Sequence, residues 1–260
     1  MNIKVRLFLV LWIAGMAGVL SFLLVDISAL IAAFPQPEGT PPPDIPPYLL
    51  KLLAIAQPTV FVTLAVLLGI WLAPKVGLHS PAVKAIANRV SFLPALKPQI
   101  VPGVIAGLAA GVAIAGSWLV AKPFLNPEFI TRAEAFNKMI PPPVRFLYGG
   151  FTEEILLRWA MMTLFVWVLW KVFGRREEGP RAVWFVCGIF LSAILFGIGH
   201  LPVAFLISGE LTAPLVIYVI TANSIFGIVA GFLYWFRGLE SAIIAHIFAH
   251  VVLLAGISLL

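Results

Sequence analysis

The sequence predicts an all-α fold, a polytopic transmembrane bundle of about seven or eight spans, and three observations carry that prediction. Hydrophobic residues make up 62% of the 260 and charged residues 11%, against about 45–50% and about 25% in an average soluble domain. Mean hydropathy is +1.07. Several apolar windows exceed the length of about 18 residues that reads as a membrane-crossing helix. The runs are also continuous rather than alternating, which favours helices over a barrel.

The elements follow in order. Lys4 and Arg6 precede an apolar stretch from about Leu7 to Phe34. It is longer than the roughly 7–15-residue core of a signal peptide and lacks a small-x-small cleavage site, so it reads as a first span. The Pro-rich segment Pro35 to Pro47, with Glu38 and Asp44 as its charges, reads as a stiff loop away from the cytoplasm. A second span covers about Leu49 to Ala73, tolerating Pro58. Lys75, Lys84, Arg89 and Lys97 then place the next connection in the cytoplasm.

A third span, Ile100 to Val120, carries Gly103, Gly107, Gly111 and Gly116, a composition that lets a neighbouring helix approach closely. The polar stretch Lys122 to Arg145 reads as an interfacial or re-entrant piece ended by Pro141, Pro142 and Pro143. A fourth span runs from about Val144 to Phe173, followed by a basic loop with Arg175, Arg176 and Arg181. The fifth, sixth and seventh run from Ala182 to about His200, Pro214 to Phe236, and Leu239 to the carboxyl end. Taken literally, seven spans place the amino end inside and the carboxyl end outside. Residues 1–143 are expected to form an amino-terminal set of spans and 144–260 the functional core of one integral membrane domain.

The net charge of +6 does not imply nucleic acid as a partner. Lys and Arg cluster in short connections between spans, the positive-inside pattern, and no soluble basic helix or Cys/His finger accompanies them. The one cysteine, Cys187, lies in an apolar run and can form neither an internal disulfide nor an all-Cys metal site.

Against this apolar background, three polar clusters stand out. A charged group at the middle of a spanning helix costs roughly 2.5–3.5 kcal/mol on insertion scales, so such residues need partners and usually have a task. The first cluster is Gly149-Gly150-Phe151-Thr152-Glu153-Glu154-Ile155-Leu156-Leu157-Arg158. At about 100° per residue, Glu154 and Arg158 form an i,i+4 pair, while Glu153 points about 100° away from Glu154. The pair reads as a supporting buried ion pair. Glu153, without a local cation, suits a general acid or base.

His200 ends the fifth span one turn after Phe196. Alone it reads as an interfacial histidine as readily as a functional one. His246 and His250 are i,i+4 on the seventh span and can converge on one water, metal or substrate oxygen, or else bond neighbouring helices. Three of the four histidines thus lie in membrane segments, and only His79 lies in a loop. Glu153 is expected roughly 13 Å into the membrane, at a depth comparable to the histidine pair. Asn223 in the sixth span is a further polar candidate, although Asn in membrane helices often serves as interhelical glue.

Together, Glu153-Glu154-x-x-x-Arg158, Phe196-x-x-x-His200 and His246-x-x-x-His250 resemble the motif set of the CPBP family of intramembrane proteases. That family includes the type II CAAX prenyl endopeptidases and bacterial relatives linked to bacteriocin processing and self-immunity. The resemblance covers about Val144 to the carboxyl end. It departs from the family at His250, where Asn or Asp is usual.

The resemblance implies peptide-bond hydrolysis by a water held between Glu153 and His200, with Glu153 as general base. It gives His246 and His250 the oxyanion and leaves Glu154, Arg158 and Phe196 as support. No cofactor is expected on this reading; a zinc ion held by Glu153, His200, His246 and His250 is the alternative. The implied partners are the lipid bilayer and a membrane-embedded or lipidated peptide substrate. The implied location is the plasma or inner membrane of a prokaryotic cell. Other intramembrane protease chemistries fit poorly, because His-Glu-x-x-His, Gly-x-Gly-Asp and Gly-x-Ser-x-Gly are all missing. A proton-coupled transporter, a haem carrier and a non-catalytic immunity-type binding protein are the competing classes.

Overall fold

The computed structural model describes residues 2–35, 45–174 and 178–259. Among them every regular element is helical, and seven helical segments are long and apolar enough to cross a membrane. The chain is a polytopic all-α membrane protein. Most of the Pro35–Pro47 loop, with Glu38 and Asp44, lies outside the described residues, as do Arg175 and Arg176 of the second basic loop.

The first span, α1 (Ile3–Ser21), ends in a short 3-10 turn, Phe22–Leu24. This corrects the expected run to Phe34. Asp26 accepts a hydrogen bond from the Ala29 amide at 3.0 Å and so caps a separate short helix, α2 (Ile27–Ala32). The second span, α3 (Pro47–Val76), contains Pro58 and stops at Gly77, whose φ of +77° suits the left-handed end of a helix. A short α4 (Pro81–Ala87) follows. The third span, α5 (Leu93–Ala121), begins a full two turns before the expected Ile100 and accommodates Pro98 and Pro102 within it.

The polar stretch forms α6 (Pro127–Met139), capped by Asn126, whose side chain accepts from the Glu128 amide at 2.8 Å. Thirteen residues rise about 20 Å, too short to span a bilayer core of about 30 Å. Four spans follow: α7 (Pro142–Phe173), α8 (Ala182–Gly199) with its continuation α9 (Leu201–Ser208), α10 (Ala213–Phe236) and α11 (Leu239–Leu259).

Lipid, not water, is the solvent for the outer faces. On α3, Leu53, Val60, Phe61, Leu64, Leu67 and Trp71 all point outward, and Lys75 lies 3.8 Å from the centre of the Trp71 ring at the membrane boundary. Inward, Val62, Val66, Ile155, Met162, Ile189 and Phe226 belong to the main core. A smaller apolar cluster joins Leu125, Phe129 and Ala133 to Ala204 and Ile207 of α9 and to Leu215 and Val219 of α10.

Two packing relationships position the functional helices. The small residues of α5 face α11: a Cβ added to Gly103, Gly107 or Gly111 would collide with Ile244, Ala245 or Val252 respectively. The close approach expected of that glycine run is therefore made, and its partner is the helix carrying the histidine pair. On the other side, the Thr152 hydroxyl of α7 donates to the Gly15 carbonyl of α1 at 2.7 Å, and the Trp159 indole reaches the Val66 carbonyl of α3 at 3.5 Å. The amino-terminal spans are thus bound directly to the helix carrying the glutamates.

Candidate functional site

The helix α7 is unusual where it carries the first polar cluster. Arg145–Glu153 and Ile155–Met162 have π-helical geometry, with ordinary α-helix resuming at Thr163. Hydrogen bonds from i to i+5 widen the turn beyond 3.6 residues, so successive side chains are rotated by less than the 100° of an α-helix. Glu153 and Glu154 therefore stand closer around the axis than the α-helical geometry predicts. Their side chains reach opposite nitrogens of one imidazole.

That imidazole belongs to His246. Its Nδ1 lies 2.7 Å from Oε1 of Glu154, and its Nε2 lies 3.7 Å from Oε2 of Glu153. Burial separates the two carboxylates: Glu154 is fully enclosed, whereas the Glu153 side chain is 18% exposed. Of the two, only Glu153 is accessible from outside the packed side chains.

Arg158 completes the enclosed part. Its Nη1 lies 3.2 Å from Oε1 of Glu154, and both side chains are buried. The guanidinium carbon sits 5.1 Å from the Phe196 ring centre and 5.3 Å from that of Phe226, so aromatic faces stand where water would otherwise solvate the charge. The expected Glu154–Arg158 pair is present. It is also linked to His246 through Glu154, a link that no local sequence pattern contains.

His200 lies at the junction of α8 and α9. Its Nδ1 donates to the Phe196 carbonyl at 2.8 Å, and its ring meets Phe196 edge-on at 4.7 Å between centres. Phe196 also stands 6.0 Å from the His246 ring, again edge-on. The phenyl ring is thus the spacer that sets the two imidazoles relative to one another. His250 stacks on His246 with centres 5.0 Å apart. Gly149 makes room for both, since a Cβ there would stand 2.7 Å from Nε2 of His250 and 3.2 Å from Nε2 of His246.

Glu153, Glu154, Arg158, Phe196, His200, His246 and His250 are therefore gathered at one place, where α7, α8 and α11 meet. Asn223 serves differently. Its amide donates to the Val219 carbonyl of its own helix at 2.8 Å. Sequence reasoning missed Phe226, whose ring lies 4.2 Å from that of His246, and gave no role to Gly149. The Gly149-Gly150 pair directly before two glutamates was the available signal for a close approach; Phe226 had none.

A metal ion is the alternative occupant of such a set of donors. Among the described residues, no three His, Cys, Asp or Glu side chains are grouped so as to hold one. His246 turns Nδ1 to Glu154 and His200 turns Nδ1 to a carbonyl, which leaves Nε2 of each ring free of those bonds.

Fold and site together define a class: an integral membrane helical bundle with a carboxylate–imidazole cluster buried where three spans meet. Residues 136–252 match the model of the family described as type II CAAX prenyl endopeptidase Rce1-like. That segment contains all seven gathered residues, and over it the resemblance to the CPBP intramembrane proteases is shown. No curated protein and no solved structure gives a match.

Proposed function

We propose that the chain is an intramembrane endopeptidase that hydrolyses a peptide bond with a water activated at Glu153. The observation that carries this reading is that Glu153, His200 and His246, from three spans, belong to one cluster in which Glu153, unlike Glu154, is partly exposed. The family match supports the same class of activity.

The chemistry follows from the groups present. Glu153 takes a proton from the water as the oxygen attacks the carbonyl carbon, and returns it to the leaving nitrogen as the C–N bond breaks. His200, with Nδ1 committed to the Phe196 carbonyl, offers Nε2 as an acceptor that orients the same water. Charge on the tetrahedral intermediate calls for a donor, and His250 stacks beside His246 in the position where the motif of the resembled family usually has Asn or Asp. One well-placed donor of that kind is worth roughly 2.7–4 kcal/mol in other hydrolases.

The substrate class that suits a site at this depth is a lipidated or hydrophobic peptide reaching it from the bilayer. The test is cleavage of a panel comprising a farnesylated carboxy-terminal peptide, its unmodified form and a hydrophobic leader-like peptide, with purified protein in detergent. Wild-type cleavage of at least one, lost in Glu153→Ala and His200→Ala, is the expected result. Full activity in both variants would sink the reading.

A further inference from the structure

The two nitrogens of His246 face different partners, and the difference decides what the ring can do. Nδ1 is 2.7 Å from a carboxylate oxygen of Glu154, which can only accept. Glu154 is itself fully buried and lies 3.2 Å from Nη1 of Arg158, whose opposite charge favours the carboxylate form. In a neutral imidazole the nitrogen facing such an acceptor carries the proton, and the other is left with a lone pair. Nε2 of His246 is then an acceptor.

It faces a second acceptor. Oε2 of Glu153 lies 3.7 Å away, too far for a direct hydrogen bond and close enough for one water to donate a hydrogen to each. His200 has the same polarity, since its Nδ1 donates to the Phe196 carbonyl, so with one hydrogen of the water on Glu153 the two imidazoles are alternative acceptors for the other.

We infer that Glu154 is a positioning residue that fixes His246 as the Nδ1–H tautomer, making His246, with Glu153, an acceptor for the nucleophilic water rather than a donor to the oxyanion. The inference rests on the peptidase reading for its consequence, but the tautomer itself does not. Atoms balance simply. One water proton passes through Glu153 to the leaving amine; the other, on the hydroxyl of the tetrahedral intermediate, passes to Nε2 of His246 as the C–N bond breaks, leaving a carboxylate product. The resulting imidazolium lies between two glutamates and later releases its proton to solvent.

This assignment changes the role that the family resemblance implies for His246. It also gives Glu154 a task beyond neutralising Arg158. Replacing an orienting carboxylate by its amide allows the wrong tautomer, and here it also strands the buried Arg158 cation, so folding of the variant is checked alongside.

The test is nitrogen NMR on the full chain in detergent at neutral pH, with 15N-labelled histidine. The chain has four histidines, and the pair of resonances missing in His246→Gln identifies the ring. The expected result is a neutral Nδ1–H imidazole in the wild type and a population of Nε2–H in Glu154→Gln. An Nε2–H tautomer or an imidazolium in the wild type overturns the inference, as does an unchanged tautomer in folded Glu154→Gln. If that variant does not fold, the wild-type spectrum still decides.

On the farnesylated peptide, Glu154→Gln is expected to lose on the order of 100-fold or more in kcat, with KM within about threefold. Unaltered kcat in a folded variant would also overturn it. A wild type that cuts no peptide of the panel yet shows the Nδ1–H tautomer would instead count against the peptidase reading.

Discussion

Gly107 lies so close to Ala245 that a Cβ built on it would stand 2.3 Å from the Ala245 carbonyl oxygen. The contact partner is backbone, which cannot swing aside as a flexible side chain would. Ala245 immediately precedes His246, so the spacing of α5 and α11 sets the depth at which the imidazole meets the glutamates.

Gly107→Val is therefore expected to force the two helices apart. Overpacking of this kind costs about 1–3 kcal/mol or more, to be read as a lowered apparent Tm in detergent together with reduced peptide cleavage. Gly116, around which nothing lies within 4 Å of the added Cβ, supplies the control. Gly116→Ala should leave both measurements unchanged, and an equal effect of the two substitutions would refute the packing argument.

Arg158 and Glu154 lead to a different expectation. Removing the cation alone, as in Arg158→Met, strands a buried carboxylate at a cost of about 3–5 kcal/mol. The double substitution Glu154→Gln with Arg158→Met leaves no buried charge at the pair and should recover much of that stability. It should not recover cleavage, because His246 loses its orienting anion. Equal stability of the single and double variants would show that the pair is not coupled.

Glu240, at the start of α11, is buried and accepts four hydrogen bonds. Oε1 takes the Ser80 hydroxyl at 2.6 Å and the amides of Ala82 and Val83 at 2.8 and 3.0 Å, and Oε2 takes the Gln99 amide at 3.2 Å. Glu240→Ala leaves those donors without a partner, each at about 1–3 kcal/mol if still buried. Hydrogen exchange at Ala82 and Val83 should accelerate markedly. Protection at wild-type level would mean that other acceptors replace the carboxylate.

The donor set also predicts an insensitivity. Treatment with EDTA or 1,10-phenanthroline should leave peptide cleavage within about twofold of the untreated protein, since no three ligands converge among the described residues. Loss on chelation with recovery on added zinc would restore a metal mechanism.

Much of the site was legible because membrane interiors make polar residues conspicuous. Glu153, Glu154, Arg158, His200, His246 and His250 announced themselves against an apolar background, and the glycines of α5 announced a close helix contact. Other features were hidden for definite reasons. Phe226 is one phenylalanine among 20, and only its place 4.2 Å from His246 distinguishes it. The end of the first span turned on Asp26 as a helix cap, a local hydrogen bond that hydropathy does not register. Arg145 reads as a flanking cation, yet it bonds the Asn137 carbonyl at 2.5 Å and the Asn137 side chain at 3.1 Å, tying α6 to α7.

By itself the sequence determined that the protein crosses the membrane as helices and which polar groups its spans must shelter, because the cost of an unpaired charge in hydrocarbon is set by residue type and window length. Only the tertiary structure decided what those groups do to one another. The widened turn of α7 brings neighbouring glutamates to opposite nitrogens of one imidazole 92 residues away, and hydrogen-bond direction across that distance depends on helix geometry and packing, which no local pattern encodes.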